Sequence, residues 1–236
     1  MDGHIQQAYN FDFRGLTVLE CGSHEAGAET RLFRKENDCY YIDAEEAAIA
    51  KLKTIRDINV DNVFCFALSD TDGEVEFTVT SHPGNSSMNH LPGHIAELEI
   101  ALNSTFKKIR VPSKSYKSFL ELIGKTIDIL ILDIEGGETI VLRGMKELPV
   151  EKLPKIICIE AGYDWLQRKA LLLELGYVID YYDFNNVVLH HSSFLVSKNE
   201  QYVRQMNVAN PRFIWFNTVI YKNDNTVPYL PLRLTR

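Results

Sequence analysis

The chain has 236 residues, of which 45% are hydrophobic, 24% charged and 11% aromatic. That balance excludes wholesale disorder and supplies enough apolar surface for a core without disulfide or metal staples. Its 25 basic and 32 acidic residues leave a net charge of −7, which disfavours nucleic acid as a partner, because a phosphate backbone calls for a positive surface.

In chain order, Leu16–Glu20 is expected as a strand running into Gly22, Ala28–Lys35 as a helix and Cys39–Ile42 as a second strand closed by Asp43. Ala44–Ile55 reads as a helix and Val63–Leu68 as a third strand. Asp72-Gly73, between that strand and the alternating run Glu74–Thr80, is a hairpin signal. Residues 81–94 read as a loop. Ile95–Leu102 and Tyr116–Ile123 follow as helices, with a short strand near Ile109–Val111. Ile127–Ile134 is an apolar run broken only by Asp128 and Asp133, as in a strand buried on both faces. Ile156–Ile159, closed by Glu160, is another strand; Trp165–Leu175 is a helix stopped by Gly176. Tyr177–Tyr182 and Val187–His190 form a last strand pair. No apolar run approaches the length of a membrane span. Met1-Asp2-Gly3-His4 lacks the features of a signal peptide.

Strands alternating with helices imply an α/β protein with a parallel sheet covered on both faces, and ligands in such sheets sit at the carboxyl ends of the strands. Four of those ends carry acids: Glu20, Asp43, Asp133 and Glu160. Residues 1–190 are read as one domain. Residues 191–236, with Phe213-Ile214-Trp215-Phe216, break the pattern and are read as an extension: an extra strand, a cap on the site or a homo-oligomer contact. Cys21, Cys39, Cys65 and Cys158 fit no zinc or redox spacing and read as buried free thiols of a reducing, cytoplasmic compartment.

The turn after the first strand reads Glu20-Cys21-Gly22-Ser23-His24-Glu25-Ala26-Gly27. A nicotinamide fingerprint needs G-x-G-x-x-G, and here the middle glycine is absent. Glu20 would repel a pyrophosphate but suits a ligand with a cationic group, such as the amino group of S-adenosylmethionine. Asp43 is spaced to reach a ribose diol. A tight turn without a ligand is the bland alternative. An NAD-dependent oxidoreductase on a related fold and a non-catalytic scaffold domain are the rival functions.

Three stretches resemble the FkbM-type S-adenosylmethionine-dependent methyltransferases: Val18-Leu19-Glu20-Cys21-Gly22-Ser23, Ala67-Leu68-Ser69-Asp70-Thr71-Asp72-Gly73-Glu74, and Ile127-Asp128-Ile129-Leu130-Ile131-Leu132-Asp133-Ile134-Glu135-Gly136-Gly137-Glu138 followed by Val141-Leu142-Arg143-Gly144. The resemblance spans roughly residues 16–190 and implies a Rossmann-like class I methyltransferase fold, with a seven-stranded, mostly parallel sheet whose last strand is reversed. It implies that Glu20, Gly22 and Ser23 face the methionine end of the cofactor and that Asp43 holds the ribose with Ala44 alongside. It places Phe66, Ala67 and Leu68 at the adenine, and Asp133 beside the reactive methyl. The Asn/Asp-Pro-Pro-aromatic signature of amino-group methyltransferases is absent after Ile131, where Leu132-Asp133-Ile134-Glu135 stands. The leading expectation is O-methylation of a saccharide or similar polar small molecule, with N-methylation and protein or nucleic-acid methylation left open.

A hydroxyl nucleophile needs a base or a metal. Asp133, Glu135 and Glu160 are the candidates, either as clustered carboxylates with one raised pKa or as oxygen ligands of Mg²⁺. Glu135 reads equally well as a helix N-terminal acid, and Glu160 as a loop hydrogen-bond partner; Glu138 and Arg143 read as structural or surface residues. For the acceptor, the candidates are Ser86, Ser87 and His90 in the polar loop, read as a lid over the strand ends, and Tyr163 after the Glu160 strand. A His90–His94 metal pair is disfavoured by Pro92 and Gly93 between them.

Overall fold

The computed structural model describes residues 4–209 apart from 25–29, 33, 83, 91–94, 96–97, 101–102, 163 and 184–185. Among the described residues there are ten strands: β1 Thr17–Cys21, β2 Asp38–Asp43, β3 Val63–Cys65, β4 Ala67–Ser69, β5 Gly73–Thr80, β6 Phe106–Ser115, β7 Ile129–Leu132, β8 Ile156–Glu160, β9 Tyr177–Asp183 and β10 Asn186–His191. The α-helices among the described elements are α1 His4–Ala8, α2 Glu46–Leu52, α3 Tyr116–Ile123, α4 Glu138–Met145, α5 Trp165–Glu174 and α6 Glu200–Ala209.

Seven strands form the main sheet in the order β3-β2-β1-β7-β8-β10-β9. The ladders from β3 to β8 are parallel, while β10 runs antiparallel to both β8 and β9. This is the expected seven-stranded, mostly parallel sheet with a reversed last strand. The strand order turns back between β1 and β7, and such a switch point opens a crevice at the carboxyl ends.

Strand alternation sorts the apolar residues onto the two faces. Leu19, Cys21, Leu130, Leu132, Ile157 and Ile159 pack with Phe119 of α3, Val141 of α4 and Leu172 of α5. Val18, Ile129, Ile131, Ile156 and Cys158 pack with Ile5 of α1, Ile49 of α2 and Val203 of α6. In α3 the signals are local: Ser115 caps it by accepting the Ser118 N–H, Tyr116, Phe119 and Leu120 form the buried face, and Gly124 ends it in the left-handed region.

Three expectations are corrected. First, Val63–Leu68 is two strands. Phe66 separates β3, at the edge of the main sheet, from β4, which belongs to a second sheet ordered β4-β6-β5. Second, Asp72-Gly73 turns the chain but makes no hairpin. β6 lies between β4 and β5, parallel to the first and antiparallel to the second, and it runs over ten residues rather than the short segment expected. Third, no α-helix follows β1 among the described residues of 28–35, where Arg34 and Lys35 belong to a 3₁₀ turn, Arg34–Glu36. Thr30 is drawn onto the strand tips instead, its N–H donating to Glu20 Oε2 at 3.1 Å and its hydroxyl bonded to Tyr41 at 2.9 Å.

Of residues 191–236, the described part carries α6, which packs on β9 and α1; the aromatic run at 213–216 lies outside the described residues.

Candidate active site

An open cleft lies at the carboxyl ends of β1, β2 and β7. Its floor begins at Gly22, directly after β1, with φ +75°. A Cβ there would stand 1.6 Å from the Asp133 carbonyl oxygen, so only glycine lets the tips of β1 and β7 approach this closely.

Asp43 ends β2 and lines the cleft. Its carboxylate is braced by the backbone N–H groups of His24 at 2.8 Å and Glu45 at 2.9 Å. Burial pushes this carboxyl above its ordinary range, and the two N–H donors partly oppose the shift. Ala44, Phe66, Ala67, Leu68 and Phe77 add a largely apolar wall. The loop after β5 contributes Gly84, Ser86 and Met88, and Met88 packs against Ala67 and Phe77. That loop is fastened to β5 by paired backbone bonds between Thr78 and Ser87, at 2.7 and 3.0 Å. Asn89 Nδ2 ties it to the Gly136 carbonyl at 2.9 Å.

Asp133, Ile134 and Glu135 complete the lining. Glu135 sits at φ +55°, a costly conformation for a residue with a side chain. The turn is held by Glu138, whose carboxylate accepts the Ile134 N–H at 2.7 Å and the Gly136 N–H at 2.9 Å. Glu138 is fully buried and ion-paired with Arg168, also buried, at 2.7 Å. Carboxylate oxygens of Asp133, Glu138 and Glu160 lie within 4.8 Å of one another. Burial pushes the Glu138 carboxyl up to about 7, with Arg168 opposing. Burial, followed by the charges of Asp133, Glu138 and Glu135, pushes Glu160 well up too.

Gly22, Asp43, Ala44, Phe66, Ala67, Leu68, Asp133, Glu135 and Ser86 thus converge on one cleft. Five other candidates lie off its lining. Glu20 is buried against Thr30, and the Ser23 hydroxyl donates to the Ile42 carbonyl at 3.3 Å. Ser87 is buried, its hydroxyl oxygen accepting the Asn89 N–H at 2.9 Å. His90 bonds through Nε2 to the Asn85 carbonyl at 2.7 Å, with its ring edge-on to Phe106. Glu160 stands behind the cleft wall in the carboxylate group. Tyr163 and His94 lie outside the described residues.

Mg²⁺ does not fit this group. The third clustered carboxylate is Glu138 rather than Glu135. Both its oxygens already accept backbone N–H groups, and the Arg168 guanidinium occupies the cation's place beside it. A hydrated octahedral ion needs free oxygen ligands.

The sequence reading overlooked His24, Glu45, Phe77 and Met88 as lining residues and Arg168 altogether. Only the Asp164–Arg168 spacing hinted at the last, since Nε pairs with Asp164 at 2.5 Å.

Residues 20–197 match the protein family described as the methyltransferase FkbM domain. No curated protein matches the chain. Among solved structures, Synechocystis PCC 6803 magnesium protoporphyrin IX methyltransferase with bound SAM is 10% identical; the match covers 77% of this chain and 72% of that one, with a TM-score of 0.40. The Streptococcus mutans protein SMU.1697c, in complex with SAH, is 11% identical, with 83% and 93% covered and a TM-score of 0.41. Neither is similar enough to bear on the substrate.

Proposed function

The chain belongs to the FkbM-domain methyltransferase family, and from that premise we propose that it transfers a methyl group from S-adenosylmethionine to a hydroxyl of a saccharide or similar polar small molecule. One observation carries this reading. The ionisable residues lining the cleft are His24, Asp43, Glu45, Asp133 and Glu135, with no lysine or arginine among the described lining. Such a cleft favours a cationic donor and an uncharged acceptor, and disfavours a polyanion such as nucleic acid.

Bound there, S-adenosylmethionine supplies a methyl on a positive sulfur, already activated for in-line displacement. The residues of the chain then position and take up a proton. Asp43, with both oxygens braced, accepts from the ribose diol. Phe66, Ala67, Leu68 and Phe77 offer an apolar face to the adenine. Asp133 and Glu135, the carboxylates on the cleft surface nearest the β7 tip, receive the acceptor's proton. Glu160, with its carboxylate within 4.8 Å of that of Asp133, acts on that proton through its charge without touching the acceptor. Ser86 faces the acceptor from the loop wall.

We place the protein in the cytoplasm on two supports: its four cysteines are free, and no helix among the described residues is long and apolar enough to cross a membrane.

Calorimetric titration with S-adenosylhomocysteine tests the donor site. Asp43→Ala is expected to weaken binding at least tenfold (about 1.4 kcal/mol). Equal binding by the variant, or no binding by the folded wild type, overturns this reading. Methyl transfer from labelled donor to neutral saccharides, and not to their phosphorylated forms, tests the acceptor class.

A further inference from the structure

Arg168 lies on α5, away from the cleft lining, with its side chain only 1% exposed. Its guanidinium meets three elements. One nitrogen pairs with Glu138 of α4 at 2.7 Å. A second donates to the Glu160 carbonyl of β8 at 2.6 Å and lies 3.7 Å from that residue's carboxylate. Nε pairs with Asp164 at the start of its own helix. The chain makes room for it at Gly162, where a Cβ would stand 2.7 to 2.8 Å from the guanidinium.

A buried ion pair is weak support for a fold, because desolvation consumes the Coulombic gain and an apolar packing of similar volume does as well. What such a pair does well is fix one geometry and one charge state. Here the geometry is specific. Glu138 passes the contact on to the N–H groups of Ile134 and Gly136. These flank Glu135, held at φ +55°, and follow Asp133.

We propose that Arg168 is a positioning residue for the methyl-donor site: acting through Glu138, it sets the conformation and the negative charge of the Asp133–Glu135 turn without touching donor or acceptor. The inference rests on the donor-binding reading above. Asp133, Glu135 and Glu138 come from the β7–α4 segment, Glu160 from β8, Arg168 from α5 and Asp164 from the N-cap of α5. His24, Asp43 and Glu45 are the other ionisable residues of the cleft lining.

The expected sign follows from the raised carboxyls. Burial pushes the Glu138 carboxyl up to about 7 against the opposing charge of Arg168, and Glu160 is shifted the same way. As pH rises through that region the group gains negative charge, so the preference for cationic S-adenosylmethionine over S-adenosylhomocysteine grows in the wild type.

The test is calorimetric titration of both ligands from pH 6 to 8.5, with wild type, Arg168→Lys, and the charge-balanced double variant Arg168→Met/Glu138→Gln. The double variant is expected to bind S-adenosylmethionine about tenfold more weakly at pH 7.5 and to lose the pH-dependent preference, with Arg168→Lys between it and wild type. A folded double variant with wild-type affinities and pH profile overturns the proposal. So does an equal loss for both ligands at every pH, which marks a merely structural role. If the double variant does not fold, Arg168→Lys decides by the same criteria. A folded wild type that binds neither ligand sinks the donor-site reading and this inference with it; a binding wild type beside unaltered variants overturns this inference alone.

Discussion

Replacing Gly22 with alanine would force a methyl group into the Asp133 carbonyl oxygen, 1.6 Å away, at a backbone angle of φ +75°. The side chain cannot rotate out of that contact, since Cβ is fixed by the backbone. The tips of β1 and β7 must therefore part. Gly22→Ala is expected to cost about 3 kcal/mol or more, read as a lowered urea midpoint, with loss of S-adenosylhomocysteine binding even where the chain still folds. An unchanged midpoint would mean that the strand tips are not packed as described. Gly22 was legible in the sequence, because a glycine directly after an apolar strand signals a positive-φ turn. Its partner across the gap was not, because the contact is with a backbone atom 111 residues further on.

At the scale of elements, one wall of the cleft is a loop borrowed from the second sheet. Ser87 pairs with Thr78 through both backbone groups, and this bridge holds Ser86 and Met88 on the cleft. Ser87→Pro removes the N–H donor to the Thr78 carbonyl. The expected outcome is weaker ligand binding, by about fivefold at the roughly 1 kcal/mol scale of a backbone hydrogen bond, with the urea midpoint nearly unchanged because the main sheet is untouched. A large fall in the midpoint with intact binding would contradict this assignment. The second sheet also shows why the hairpin expectation failed. An Asp-Gly turn between alternating runs looks the same whether the flanking strands pair directly or leave room for a third. Here β6, arriving from residues 106–115, takes the place between them.

At the scale of the whole molecule, both ends of the described chain meet at one buried carboxylate. Asp180 of β9 accepts from the Tyr9 hydroxyl at 2.5 Å, from His190 Nδ1 at 2.8 Å and from Lys198 Nζ at 3.0 Å. The same segments are laced by backbone bonds from Asn10 to Ser197 and from Asn199 to Ala8, each 2.8 Å. Asp180→Ala strands these donors in a dry site and is expected to cost about 3 kcal/mol. By hydrogen exchange the amides of Asn10 and Asn199 should lose protection together, while those of β7 stay protected. Loss at one end alone would show that the termini are held separately.

The sequence by itself determined the α/β class, the strands β1, β2, β7 and β8 within a residue or two, α3 at both ends, and the acids at the strand tips. Those features rest on local causes: side-chain alternation, a capping serine, a terminating glycine, a continuous apolar run. The family resemblance, carried by Asp133–Glu138 and the Gly22 turn, was legible for the same reason, since its motifs are contiguous. Only the tertiary structure decided which candidates share the cleft. It sent Glu20, Ser23, Ser87 and His90 to hydrogen bonds off the lining, put Glu138 in the acidic group, and placed Arg168 where a metal had been an alternative. Glu138 and Arg168 lie on different helices, 30 residues apart, and each reads alone as a polar surface residue. Their meaning comes from being buried against one another, and burial depends on the whole fold rather than on any local pattern.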